Sequence, residues 1–410
     1  MEKKEYRQLL SQRQYIRLLL ADTINRFGDS IDVIAYSWIM YEITGSASLM
    51  ALVVGLNFVP TVFLTPFAGA FVDRISKKRV MALADLLRFV FVAAIVTLYT
   101  TGLLSPALIV VFTLATSTVE AFRLPGGATL PQLLEKEYYT LGKAANYSVS
   151  RISGLVGYML AGGVIALIGA VGALWIDAAT FLISSAIIWS IRYKENLQGA
   201  KQTVKGVIQD FAEGFRFIRA SRTIQTVSLI GLLINFGIMP LTVFQTPYVS
   251  DYLKMGPETL SYIKILTSVG MITGSALLPK LGKIKTPVIA VAAGVIMGAA
   301  LIEMSIAQSL STPVLKMGIL TLSMLSIGFG GGLLNVVIGS SVMKAVPKEM
   351  MGRISGFLAA LMQASMPVAS FICSALAVYF HIPHILVFFG SLTLICSLAL
   401  YFRKKLDALS

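Results

Sequence analysis

Twelve apolar runs, each closed by a short charged or Gly/Pro break, leave this chain few ways to fold. A bilayer core of about 30 Å takes about 20 apolar residues per helix. Twelve such runs therefore consume most of the 410 residues and leave no room for a large soluble domain. They fall near 16–40, 49–71, 80–101, 107–122, 144–168 and 170–191, then near 224–250, 259–281, 287–307, 313–342, 354–380 and 383–402. Composition agrees, with 56% hydrophobic residues, 13% charged ones and a mean hydropathy of +0.79; an ordinary soluble domain has roughly 25% charged. The expected fold class is an all-α membrane protein with twelve transmembrane helices in two six-helix bundles. Its divisions are a cytoplasmic N-terminus (1–15), an N-terminal bundle (16–191), a cytoplasmic amphipathic linker (192–223), a C-terminal bundle (224–402) and a cytoplasmic tail (403–410).

A net charge of +14 could suit nucleic acid, but the basic residues stand in short blocks between apolar runs, as anchors to a lipid surface do. The partner they imply is the bilayer, not nucleic acid. The two ends and the even-numbered connections hold 28 of the 34 Lys and Arg, the odd-numbered connections only Lys254, and the runs themselves Arg26, Arg88, Arg151, Lys264 and Lys316. The positive-inside rule then puts both termini in the cytoplasm of a multi-pass protein of the cell membrane. The polar, basic residues 1–17 lead into no short apolar stretch with a cleavage site, so the first helix is expected to be the insertion signal itself.

Cofactor chemistry finds no support. Cys373 and Cys396 lie at different depths of their runs, which disfavours a disulfide, and His381 and His384 flank a turn proline without further soft ligands for a metal. The chain has no Walker lysine motif, zinc-binding helix motif or nucleophile elbow, so ATP-driven transport and common hydrolase chemistry lose their sequence basis. No cofactor, metal or enzymatic activity is expected.

The longest connection, 192–222, separates two sets of six runs. Within it Val204, Val207, Ile208, Phe211, Phe215 and Ile218 recur at helical spacing, predicting an amphipathic helix on the membrane face. The halves echo each other. Ile24-Asn25-Arg26-Phe27-Gly28 parallels Leu233-Ile234-Asn235-Phe236-Gly237 at a displacement of 209, and Glu135-Lys136-Glu137 parallels Pro347-Lys348-Glu349 at 212. Two nearly equal offsets point to a duplicated six-helix unit.

Between runs two and three the chain reads Gly69-Ala70-Phe71-Val72-Asp73-Arg74-Ile75-Ser76-Lys77-Lys78-Arg79. This resembles the signature loop of the major facilitator superfamily, Gly-x-x-x-Asp-Arg-x-Gly-Arg-Lys, with Ser76 at a usual glycine. A small residue lets two helix ends approach, a carboxylate can meet a helix N-terminus, and cations can anchor to phosphate. Further stretches resemble the bacterial efflux branch that includes macrolide-efflux pumps and enterobactin exporters: Tyr41-Glu42-Ile43-Thr44-Gly45-Ser46, Phe122-Arg123-Leu124-Pro125, Asp177-Ala178-Ala179-Thr180-Phe181 and Glu213-Gly214-Phe215-Arg216-Phe217-Ile218. The resemblance implies a two-bundle fold whose first, fourth, seventh and tenth helices line a central cavity. The chain departs from the drug-antiporter pattern in run five, where Gly157-Tyr158-Met159-Leu160-Ala161-Gly162-Gly163 lacks the usual Gly-Pro.

The first run carries the most chemistry. At about 100° per residue, Asp22, Asn25, Arg26, Asp29, Asp32 and Tyr36 share about 120° of one helix surface. Each charge costs on the order of 2.5–3.5 kcal/mol at a bilayer centre, so this face is turned from lipid. Arg26 lies one turn from both Asp22 and Asp29 and can pair with either. Asp32 has no cation on its own helix, and desolvation penalises its ionised form. Asp32 is thus the first proton-carrier candidate and Asp29 the second, with Asp22 and Arg26 as a supporting charge network.

Asn25, Tyr36, Trp38, Arg151, Asn235, Gln245, Asn335 and Gln363 are candidate cavity residues. Gly69, Asp73, Arg74, Lys77 and Lys78, with Glu120 and Arg123 at the inner end of run four, are a candidate cytoplasmic gate. The family resemblance implies that runs three and six are peripheral, so the Asp85–Arg88 pair and Asp177 are expected to be structural. The function expected is a monomeric, proton-coupled exporter of a small hydrophobic or amphipathic molecule; proton- or Na⁺-coupled uptake of a metabolite is the nearest alternative and a polytopic membrane enzyme a remote one.

Overall fold

The computed structural model describes residues 8–72, 75–123, 130–193, 204–281, 285–347 and 350–402. Its long helices are α1 (Arg13–Thr44), α2 (Ala47–Val72), α3 (Lys77–Thr100), α4 (Pro106–Arg123), α5 (139–168), α6 (170–190), α7 (Arg222–Pro247), α8 (Glu258–Leu277), α9 (Thr286–Ala307), α10 (Pro313–Ala345), α11 (Met351–Tyr379) and α12 (Ile382–Phe402). No strand occurs among the described residues. Among the described residues, ten stretches of helix are apolar and long enough to cross a membrane. One of them continues through Gly169, whose φ of 73° and ψ of 170° separate α5 from α6. The other span is α1, which carries too many charges to count as apolar. A positive φ is open to glycine at little steric cost, so this one residue turns the chain between two spans. No other non-helical backbone interrupts α5.

Sequence sets several ends locally. Ser76, standing where the family pattern has glycine, accepts from Arg79 N at 3.2 Å and caps α3; Ser221 does the same for Ile224 N at the start of α7. Such caps satisfy N–H groups that the first helical turn leaves orphaned. Pro287 and Pro313 occupy the first turns of α9 and α10, where a missing N–H costs nothing.

The chain divides into two compact units, Met1–Thr44 with Val59–Val207 and Gly45–Phe58 with Ile208–Ser410. The division differs from the one expected from the sequence by placing the first half of α2 in the second unit. There Ser48 and Ser374 of α11 each donate to the other's carbonyl, at 2.8 and 2.9 Å, and Ser370 donates to Ala51 O. A linker helix, Val204–Ala220, forms where the apolar spacing predicts one, and its buried Gly214 lies against Phe357 of α11.

In the first unit α1 is gripped by α5 and α6. A Cβ at Gly157 would come within 2.7 Å of Phe27 O and 2.8 Å of Ser30 Cβ, so the α1 and α5 backbones touch there. Ser153 adds a 2.7 Å hydrogen bond to Thr23 O. At the basic end, Arg17 donates to Ser190 O at 2.8 Å and Lys78 to Ile191 O at 2.6 Å, cations meeting the carbonyls that end α6.

In the second unit the close helix contacts are made largely by glycine, beside a 3.2 Å hydrogen bond from Ser275 to Gly332 O. Gly270 and Gly274 of α8 face the backbone of Leu325 and Phe329 in α10, and Gly328 and Gly332 of α10 face the backbone of Thr267 and Met271 in α8. Gly298 of α9 and Gly390 of α12 close on each other in the same way. Small residues of this kind let membrane helices gain dispersion energy at short range, since lipid supplies no hydrophobic drive between them.

Candidate functional site: a charge network inside the first unit

Five helices send polar side chains into the interior of the first unit. Asp85 of α3 is fully buried and is the hub. It accepts from Ser184 of α6 at 2.7 Å, from Asn25 of α1 at 3.1 Å, and from the Arg123 guanidinium of α4 through two nitrogens. Arg123 also reaches Asp22 of α1 at 3.4 Å, and Asp22 in turn accepts from Asn146 of α5 at 3.1 Å. A planar guanidinium suits this bridging task, because its donors are fixed in a fork.

One turn along α3, Arg88 pairs with Asp29 of α1 at 2.7 Å and lies over the Phe181 ring of α6, 4.0 Å from its centroid. Arg26 reaches Asp29 only at 3.9 Å and is 58% exposed, against 12% for Arg88. The local pairing expected from one-turn spacing is therefore corrected: Arg88 is the main cation of Asp29, and Asp22 belongs to Arg123. An i,i+3 neighbour cannot compete with a cation from a facing helix that meets the carboxylate head-on. The expected Asp85–Arg88 and Glu120–Arg123 pairs likewise give way to partners across helices.

Asp32 stands one turn beyond Gly28 on α1. Among the described residues it has no hydrogen-bond or ion-pair partner, though Arg88, Asp29 and Glu120 lie near enough to act on it electrostatically. Tyr36, a turn further, shares a 2.9 Å hydrogen bond with Thr113 of α4.

The other sequence candidates are dispersed. Asn25 is only 3% exposed and its amide is spent on Asp85, which removes it from the substrate-facing set. Asn235 donates to Met362 O at 3.1 Å. Trp38, Gln245 and Gln363 are half-buried, while Asn335 and Arg151 are exposed, the latter 5.2 Å from the Tyr147 ring centre. Of the gate residues, Asp73 and Arg74 lie outside the described residues, as does the side-chain environment of Gly69. Lys78 holds the end of α6, and Arg123 is drawn into the Asp85 network. Sequence reading missed Asp85 and Arg88 as partners of α1, and Ser184 as a partner of Asp85. The charge of the first two inside an apolar run was the available signal, since ionised groups there are costly unless paired.

Long apolar helices in two units, with an ionisable core in the first, define a polytopic helical membrane protein. The Major Facilitator Superfamily model matches residues 18–370, and the chain belongs to that superfamily. It is 26% identical to the macrolide efflux protein A of Streptococcus pyogenes over 368 residues, 87% of each chain. It is also 26% identical to the multidrug efflux pump Tap of Mycobacterium tuberculosis over 271 residues, a match that spans 63% of this chain and 63% of that pump's length. Solved structures with the same fold include the nucleoside transporter NupG, with a TM-score of 0.73 and 14% identity over 95% of this chain and 98% of that one. A bacterial homologue of the lysosomal transporter Spinster, in an inward-facing, unoccupied form, gives 0.72 and 13% over 97% of each. The chain is thus a multi-span helical member of the Major Facilitator Superfamily.

Proposed function

We propose that this protein is a proton-coupled exporter of small hydrophobic or amphipathic molecules, working by alternating access as a monomer with both termini in the cytoplasm. The observation that carries the coupling is the charge imbalance around α1. Arg123 is shared by Asp85 and Asp22, and Arg88 is taken by Asp29, which leaves Asp32 without a cation of its own. A carboxylate so placed is cheap to neutralise with a proton and costly to leave ionised. The two named efflux relatives support export of drug-like molecules.

The test is erythromycin transport in vesicles under an imposed pH gradient, beside counterflow without one. Wild-type protein is expected to move erythromycin against its gradient in the export direction. Asp32→Asn is expected to lose gradient-driven export and keep counterflow, because exchange needs no net proton movement. Retained gradient-driven export in that variant would remove Asp32 from the coupling, and accumulation in the opposite sense would replace export by uptake.

A further inference from the structure

Asp177 of α6, assigned by its sequence position to the periphery, is the least compensated carboxylate of the described network. It is 0% exposed, and its Oδ2 has no hydrogen-bond partner. Its Oδ1 has a single contact, Thr180 Oγ1 at 3.5 Å, and that hydroxyl already gives its proton to the Asp177 backbone carbonyl at 2.7 Å. The charged groups around it come from three helices. Asp29 and Asp32 of α1 and Arg88 of α3 act on it directly. Asp85 and Glu120, from α3 and α4, act on Arg88. Arg88 is the only cation among these, and it is held by Asp29 at 2.7 Å while lying over Phe181, one turn from Asp177 on the same helix.

Gly28 seals the site. A Cβ there would collide with Thr180 Oγ1 and come within 2.5 Å of Asp177 Oδ1, so the bare α1 backbone lies directly over the carboxyl. An ionised carboxylate in such a position has no donor to meet its charge, and a neutral carboxyl, although it keeps one O–H to satisfy, costs far less to bury.

We propose that Asp177 is a second proton-binding residue of the transporter, protonated in the state described and exchanging its proton when α1 separates from α6 and Arg88 turns from Asp29 to Asp177. One proton leaves Asp177 as the guanidinium arrives, and Asp29 takes one as it loses its cation. This inference rests on the proton-coupled reading for its role in transport but has its own readout.

The readout is the carbonyl stretch of a neutral carboxyl, followed by infrared spectroscopy on the full-length protein in lipid nanodiscs from acidic to alkaline pH. A band shifted by deuterium exchange is expected at neutral pH, retained in Asp32→Asn and lost in Asp177→Asn. Asp177→Glu moves the band to the glutamic acid position and serves as the second variant if the asparagine protein does not fold. Asp29→Asn frees Arg88, so the Asp177 band should then vanish at a lower pH than in wild type. An identical band in wild type and Asp177→Asn overturns the assignment. An Asp29→Asn protein whose band titrates as in wild type overturns the exchange of Arg88. If the band is present but no pH gradient drives erythromycin export, the coupled-transport reading fails while the protonated Asp177 stands.

Discussion

The two units use one backbone plan and opposite interiors. Gly28 and Gly237, displaced by 209, each press against a threonine, Thr180 of α6 and Thr393 of α12. Four residues on, Ser184 donates to Asp85, whereas Ser397 closes on Gly294, which follows Asp85 by the same 209. Three residues before those threonines stand Asp177 and Gly390, and three after Asp85 and Gly294 stand Arg88 and Met297. Asp85, Arg88 and Asp177 of the first unit thus each have a glycine or methionine in their place in the second. Where the first unit holds Asn25 against Asp85, the second has only a narrow cleft edged by Ile230, Ile234, Ala290, Thr393 and Ser397. The fold therefore does not require these charges. At these positions the second unit packs without charge, so the ionisable groups of the first unit are kept at an energetic cost that points to work other than packing.

The comparison can be broken most forcefully at Arg88. Arg88→Met gives the first unit the residue of the second but strands Asp29, and a broken buried pair costs about 3–5 kcal/mol. Adding Asp29→Asn should restore most of that loss, because neutralising both partners leaves no uncompensated charge. Relative stability from thermal unfolding in detergent reads both steps; a double variant as unstable as the single one would mean that the charge pair is required for the fold.

The reciprocal test lies in α10. Gly328→Val would drive a side chain into the Thr267 carbonyl, and overpacking of this kind costs about 1–3 kcal/mol. Gly163 and Gly318 have open space at the Cβ position, so Gly163→Ala and Gly318→Ala should be neutral or gain up to about 1 kcal/mol of helix propensity. Equal losses at all three positions would remove close backbone contact as the cause.

The smallest expected difference separates two asparagines, the buried Asn25 and the half-buried Asn235. Asn25 donates to the charged Asp85 and Asn235 to the neutral Met362 carbonyl. Hydrogen bonds to charged groups contribute about 1.5–3 kcal/mol and neutral ones about 0.5–1.5. Asn25→Ala should accordingly lower the unfolding temperature more than Asn235→Ala, and the reverse order would contradict a charge-threaded first unit.

Much of this architecture was legible in the sequence, for a simple reason. A bilayer fixes the length of every span, so twelve apolar runs announce twelve helices, and the 209-residue offset between Gly28 and Gly237 announces the repeat that their contacts with Thr180 and Thr393 reproduce. The charged face of α1 was legible too, because helical periodicity places Asp22, Asp29 and Asp32 on one side.

Partner choice was not. Spacing along one helix offered Arg26 to Asp29, Arg88 to Asp85 and Arg123 to Glu120, yet the structure gives Asp29 to Arg88, and Arg123 to Asp85 and Asp22. Sequence by itself determined the spans, the repeat and the presence of ionisable groups inside them, since those follow from length and the cost of charge in hydrocarbon. Only the tertiary structure decided which acids keep a cation and which, like Asp32 and Asp177, do not. That outcome depends on a few ångströms between facing helices, set by Gly28 and Gly157, and no one-dimensional pattern records such distances.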